Sequence, residues 1–354
     1  MLTDREWASV PTIVYDKLKD LTAYIPPQPT AAVRLDANEN YTAPQLDWTE
    51  IARGTDLHRY PDPVAGRLCK LAAGYFGVTP DRIVAGNGSD ELISIIVNGL
   101  LPQKARIVVH APDFSMYAFY AALGERIVTS CGKNDGLQTE IEALRDSAQQ
   151  ADLLIFSNPC NPTGGGLTVM DMKRLLESLT CLVVIDEAYM DFWNESMIPF
   201  LDTHPNVIIL RTCSKALGLA GVRLGFAIAN QALTKLLQAV KSPYNVSSVT
   251  QAIGVAAFSE PRQLRAMTRD ILINKEAFIL QMDKLLDDIP LHRLPTYTNF
   301  LLLRGSGAEL LYQFAEGQGI ALRFLPPDLL RVSVGSQVEN EAFCRALIKW
   351  RETI

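Results

Sequence analysis

From about residue 80 the chain alternates short apolar runs with longer amphipathic stretches, and this rhythm constrains its fold more than any other feature. Arg82–Ala85, Ala105–His110, Asp152–Phe156, Cys181–Ile185, Val207–Leu210 and Leu224–Ala229 have the length and apolar character of buried strands. Asp90–Leu100 and Phe114–Leu123 between them have helical spacing. Strands that are apolar on both faces and separated by helices predict an α/β fold. Its central sheet is mostly parallel and covered on both sides.

The texture changes after about 245. Ser248–Phe258 and Pro261–Leu286 read as helices, the second with proline in its first turn. Short strands follow at Phe300–Leu303, Ala321–Phe324 and Leu330–Val334, with helices at Ala308–Gln318 and Glu339–Arg351. That is a smaller α+β unit. Ile25 to Pro29 is proline-rich and extended. The expected division is an N-terminal arm over 1–40, a large domain over 41–250 and a small C-terminal domain over 251–354.

Composition narrows the function. With 33 basic against 39 acidic residues the net charge is −6, a poor match to nucleic acid or to an anionic membrane. No apolar run approaches the roughly 18–20 residues that span a bilayer, and Asp4, Arg5 and Glu6 do not begin a signal peptide. Cys69, Cys131, Cys160, Cys181, Cys213 and Cys344 are widely spaced without a CxxC pair, so reduced thiols in a cytoplasm are expected. The four histidines (His58, His110, His204, His292) do not share a helix face, which argues against a histidine metal site.

In open α/β sheets, ligands bind beyond the carboxyl ends of the strands, so the residues after each apolar run carry the candidate chemistry. Gly86-Asn87-Gly88-Ser89-Asp90 offers a close backbone approach and a helix start whose free N–H groups suit an anion. Glu91 stands where a dinucleotide fingerprint needs its third glycine. Asn158-Pro159-Cys160-Asn161-Pro162 fixes the backbone and presents the Asn161 amide. Asp186, directly after a buried strand, needs a cationic partner, and Tyr189 follows three residues later. Lys215 lies among small and apolar residues that lower its proton affinity, and Arg223 is the next charged residue. One ligand uses all of these groups. Pyridoxal 5′-phosphate needs an amine for its aldehyde, a carboxylate for its ring nitrogen, donors for its 3-oxygen, and amides, hydroxyls and a cation for its phosphate.

The chain resembles the fold-type I pyridoxal-phosphate-dependent aminotransferases, and within them the histidinol-phosphate branch, over about residues 20–350. The likeness rests on Leu35-Asp36-Ala37-Asn38-Glu39-Asn40, Arg59-Tyr60-Pro61-Asp62, Asn161-Pro162-Thr163-Gly164, Asp186-Glu187-Ala188-Tyr189, Ser214-Lys215 with Arg223, and Leu330-Arg331-Val332-Ser333-Val334-Gly335. It implies that Lys215 is the Schiff-base lysine and proton shuttle, and that Asp186 pairs with the pyridinium nitrogen. Tyr189 and Asn161 would bond the 3-oxygen, and Ser89, Asp90, Ser214 and Arg223 would hold the phosphate. Tyr60 would reach the neighbouring subunit's cofactor in a homodimer. Arg331, Arg323 and Tyr24 would bind substrate anions. The implied reaction is transamination from L-histidinol phosphate to 2-oxoglutarate. Aromatic amino-acid transamination and threonine-phosphate decarboxylation share the scaffold. One departure stands out. The residue stacked on the cofactor ring is usually tyrosine in a Pro-Thr-Tyr setting, whereas here the run is Pro112-Asp113-Phe114.

Overall fold

The computed structural model describes residues 9–18 and 30–353. A two-residue strand, β1 (Val33–Arg34), precedes the seven strands of the main sheet. These are β2 (Ile83–Gly86), β3 (Arg106–Ala111), β4 (Ile127–Gly132), β5 (Leu153–Ser157), β6 (Leu182–Asp186), β7 (Val207–Thr212) and β8 (Gly225–Ile228). Their spatial order is β2-β8-β7-β6-β5-β3-β4. The ladders from β4 through β7 are all parallel, and β8 runs antiparallel to both β7 and β2. The carboxyl ends of β2, β3, β5, β6 and β7 therefore share one edge.

Period-two alternation divides the central strands between two cores. Leu154, Phe156, Val183 and Ile185 face one side, and Leu153, Ile155 and Val184 the other. Burial on both faces explains why these strands read as unbroken apolar runs. The edge strand β4 is exposed along most of its length. Two helices depart slightly from expectation. The one after β2 begins at Gly88 and ends in a wider π turn over Ile96–Leu100. The one after β3 begins at Met116, because Pro112 to Ser115 form the turn.

Four short strands build a second, antiparallel sheet: β9 (His292–Arg293), β10 (Phe300–Arg304), β12 (Arg323–Leu325) and β13 (Leu329–Ser333), in the order β12-β13-β10-β9. The single strand expected over Ala321–Phe324 is two pieces. Ile320–Ala321 forms β11, which pairs in parallel with β1, and the chain then turns to enter β12. The larger core continues from the main sheet into β10 and β13 through Phe300, Leu301, Leu303, Leu330 and Val332. Beyond β1 the chain stays stitched to this sheet, since Leu35 N donates to Ala321 O and Ser333 N to Leu35 O. That stitching carries residues 36–38 over the edge of the main sheet. Among the described residues, no helix is long and apolar enough to cross a membrane.

Candidate active site

Two adjoining cavities lie at the carboxyl edge of the main sheet. The inner one, about 290 Å³, is lined by Ser89, Asp90, Phe114, Tyr117, Asn161, Asp186, Tyr189, Thr212, Ser214, Lys215 and Arg223 among others. The outer one, about 810 Å³, shares Phe114, Asn161, Tyr189 and Lys215 and adds Arg34, Asp36, Asp113, Arg323 and Arg331. The fold thus gathers residues from sequence positions 34 to 331 around one amine.

The wall at β2 is the turn from Gly86 into the next helix, a nest bounded by Gly86 and Gly88. Gly88 has φ +77°, and a Cβ there would meet the Arg223 guanidinium. The eight-residue helix Gly88–Ile95 begins here, and Ser89 and Asp90 of its first turn line the inner cavity. Arg223 Nη1 donates to Ser214 Oγ at 3.3 Å, so cation and hydroxyl sit side by side. The Asp90 carboxylate accepts from Tyr120 OH at 3.0 Å, and its buried Oδ1 accepts no hydrogen bond among the described residues. Hydroxyls, amides and a guanidinium around a space closed by glycine fit a phosphate.

At the base, β6 ends in Asp186, which is 3% exposed. Its Oδ1 accepts from Ala188 N at 3.1 Å, the cap-like contact of a simple turn. Its Oδ2 instead accepts from Tyr117 OH at 2.9 Å inside the cavity. Burial pushes this carboxyl up to about 7; the Tyr117 hydrogen bond opposes the rise and the nearby Asp113 carboxylate adds to it. Among the described residues no cation forms an ion pair with this carboxylate, and a protonated ring nitrogen would supply one. Glu187, one residue on, has a different environment. It accepts from Ser196 Oγ at 2.6 Å and Met197 N at 2.9 Å and pairs with Arg211 at 3.3 Å.

Lys215 stands where the cavities meet, its Nζ donating to Ala37 O at 2.8 Å. Burial lowers its proton affinity to about 8, reinforced by Arg331 and Arg223 and opposed by Glu39 and Asp186. Tyr189 OH accepts from Asn38 Nδ2 at 2.9 Å. Asn161 Oδ1 accepts from Arg331 Nη1 at 2.6 Å, and the other arm of Arg331 reaches Asp36 O. The local carboxylate Asp328 pairs with Arg304 instead, at 3.0 Å. Arg323 lies directly opposite Arg331 in the β12–β13 register. Phe114 packs edge-on against Tyr117, with ring centroids 5.6 Å apart.

Two expected residues stand apart. Tyr60 is 81% exposed, stacks on Tyr244 at 4.7 Å and lines neither cavity. Tyr24 lies outside the described residues. Three further residues belong to the site although no role was expected of them. Asn38 and Tyr117 hold the two side chains above, and Asp113 accepts from Ser157 N at 3.0 Å. Asn38 had a signal in its motif, whereas Tyr117 reads in sequence as an ordinary core position.

The chain matches the family model described as aminotransferase class I and II over residues 21–347. It is 35% identical to a histidinol-phosphate aminotransferase of Clostridium kluyveri, covering 94% of this chain and 97% of that protein. It is 32% identical to one from Clostridium novyi, with coverages of 91% and 93%. Its fold is similar to the crystal structure of histidinol-phosphate aminotransferase from Sinorhizobium meliloti in complex with pyridoxal-5′-phosphate. The TM-score is 0.86 at 23% identity, over 98% of this chain and 99% of that one.

Proposed function

The chain belongs to the class I and II aminotransferases, and on that premise we propose that it moves the amino group of L-histidinol phosphate to 2-oxoglutarate with pyridoxal 5′-phosphate as cofactor. The observation that carries this reading is the position of Lys215. Its amine joins an inner cavity with a phosphate nest and a buried carboxylate to an outer cavity bearing Arg34, Arg323 and Arg331. The names of the curated relatives support the choice of donor.

When bound, the cofactor supplies an electrophilic carbon and a cationic ring that accepts electron density. The residues supply everything else. The amides at the start of the helix Gly88–Ile95, with Ser89, Ser214 and Arg223, would hold its phosphate. Asp186 would keep the proton on the ring nitrogen, and Tyr117 holds that carboxylate in place. Tyr189 and Asn161 would bond the ring's 3-oxygen, and Phe114 would cover one ring face, since all three line the inner cavity. Lys215 would take the proton from the α-carbon of the donor and hold it on its Nζ. It does so as a neutral amine, which its lowered proton affinity favours. The Arg331 fork and the Asn161 amide orient the anionic end of each substrate.

The same reading makes the active unit a homodimer in which Tyr60 serves the partner's site. Its support is the exposed stack of Tyr60 on Tyr244, with Leu57 and Val64 exposed in the same stretch of chain as Tyr60. A cytoplasmic setting also belongs to it, with all six cysteines free and buried. Steady-state kinetics test the substrate assignment. With 2-oxoglutarate as acceptor, kcat/KM for histidinol phosphate is expected to exceed that for phenylalanine. Preference for phenylalanine, or carbon dioxide release from phosphothreonine, overturns it.

A further inference from the structure

Resting on that reading, we propose that Asp113 is a positioning residue that braces the loop carrying Phe114 against the loop carrying Asn161. The two loops follow adjacent parallel strands. β3 pairs with β5 as far as Val109↔Ile155, and the strands end at Ala111 and Ser157. Nothing in that ladder extends beyond the strand ends, so the loops need another tie.

The Asp113 carboxylate supplies one. Its Oδ1 accepts from Phe114 N at 2.7 Å and also from Ser157 Oγ. Its Oδ2 accepts from Ser157 N at 3.0 Å. The Ser157 hydroxyl, having donated to Asp113, accepts in turn from Asn161 N at 3.1 Å. The result is an unbroken run of hydrogen bonds from the backbone of Phe114 to the backbone of Asn161, whose side chain holds Arg331. Lys133 steadies the run from behind, with Nζ donating to Pro112 O at 3.0 Å and His110 O at 3.1 Å, which places a cation near the carboxylate.

The arrangement compensates for a local deficit. Phe114 has no hydroxyl with which to fix its ring, so the ring is placed by its backbone and by packing on Tyr117. A carboxylate accepts from three donors at once, which a single hydroxyl at this position does not do as well. Asp113 therefore acts on the ligand through Phe114 and Asn161.

The test is the affinity of the apoenzyme for pyridoxal phosphate, by protein fluorescence, together with the visible circular dichroism of the bound cofactor. Asp113→Ala and Ser157→Ala are each expected to raise the dissociation constant about tenfold, as the loss of a charge-assisted hydrogen bond does. Both are expected to reduce the dichroic signal. The double variant is expected to be no worse than the poorer single one, because both break the same run. Ser157→Ala removes only a hydroxyl and keeps the test valid if Asp113→Ala folds poorly. Additive losses overturn the proposal. So do single variants whose affinity and dichroism match the wild type, even if their melting temperatures fall. A wild-type protein that neither binds pyridoxal phosphate nor transaminates sinks the functional reading instead.

Discussion

A lysine amine works as a base or nucleophile only while neutral, and Lys215 is neutral sooner than an ordinary lysine because burial lowers its proton affinity from 10.5 to about 8. The sign follows directly. Raising the pH through about 8 increases the neutral fraction, so covalent capture of pyridoxal phosphate by the apoenzyme accelerates and then levels off. A stopped-flow pH series checks this, and a rate still climbing well above that pH marks an unperturbed amine. Asp186 presents the complementary case. Asp186→Asn fills the same space but cannot hold a proton on the ring nitrogen. It is expected to lose at least about a hundredfold in kcat with a smaller change in KM. Tyr117→Phe removes the hydroxyl that donates to Asp186 Oδ2. It is expected to destabilise the apoenzyme by about 1–3 kcal/mol in urea unfolding and to lower kcat. The Asp186 and Lys215 signals were legible in sequence because each charge sits in a conspicuously apolar or small-residue run. Tyr117 and Asp113 were not, since their partners lie 69 and 44 positions away.

At the scale of elements, the site depends on how closely β8 approaches the start of the helix Gly88–Ile95. Gly225 is the contact point. A Cβ there would fall against Ser89 N and Gly88 C, backbone atoms that can yield only by moving the nest. Gly225→Ala is therefore expected to cost about 1–3 kcal/mol of strain and to weaken pyridoxal phosphate binding at least about tenfold in fluorescence titration. Retained affinity would mean that the nest is not the phosphate site. The sequence revealed the inner strands well, because burial on both faces leaves unbroken apolar runs in β5, β6 and β7. It concealed β4, whose exposed Ile127, Val128, Thr129 and Ser130 carry no core pattern. The helices Gly66–Phe76, Ile141–Ala148, Val169–Leu176 and Gln231–Val240 are also faint in the sequence, three of them amphipathic with only two or three buried residues each. The break between β11 and β12 depends on pairing with β1, nearly 290 positions earlier, and local pattern does not report it.

At the scale of the whole molecule, the small sheet and the segment after β1 complete a site that the main sheet only begins. Asp36 O holds Arg331, Ala37 O holds Lys215 and Asn38 holds Tyr189. Three consecutive residues thus touch three groups of the site, through a segment held in place by Ala321 and Ser333. The proposed homodimer extends the same logic across a subunit boundary. Lys215→Ala and Tyr60→Ala are each expected to be nearly inactive. Mixed and allowed to exchange subunits, they should regain up to about a quarter of wild-type turnover, because each hybrid dimer carries one intact site. No recovery on mixing, with hybrids confirmed by native mass spectrometry, would place Tyr60 outside the partner's site.

Lys215 is the amine on which these elements converge, and one measurement tests that without relying on turnover. The enzyme loaded with pyridoxal phosphate is reduced with borohydride and digested, and the lysine that carries the pyridoxyl group is identified by mass spectrometry. Stoichiometric labelling of Lys215 is expected. Label on Lys133 or on the buried Lys275, or no stable label on any lysine, would contradict it.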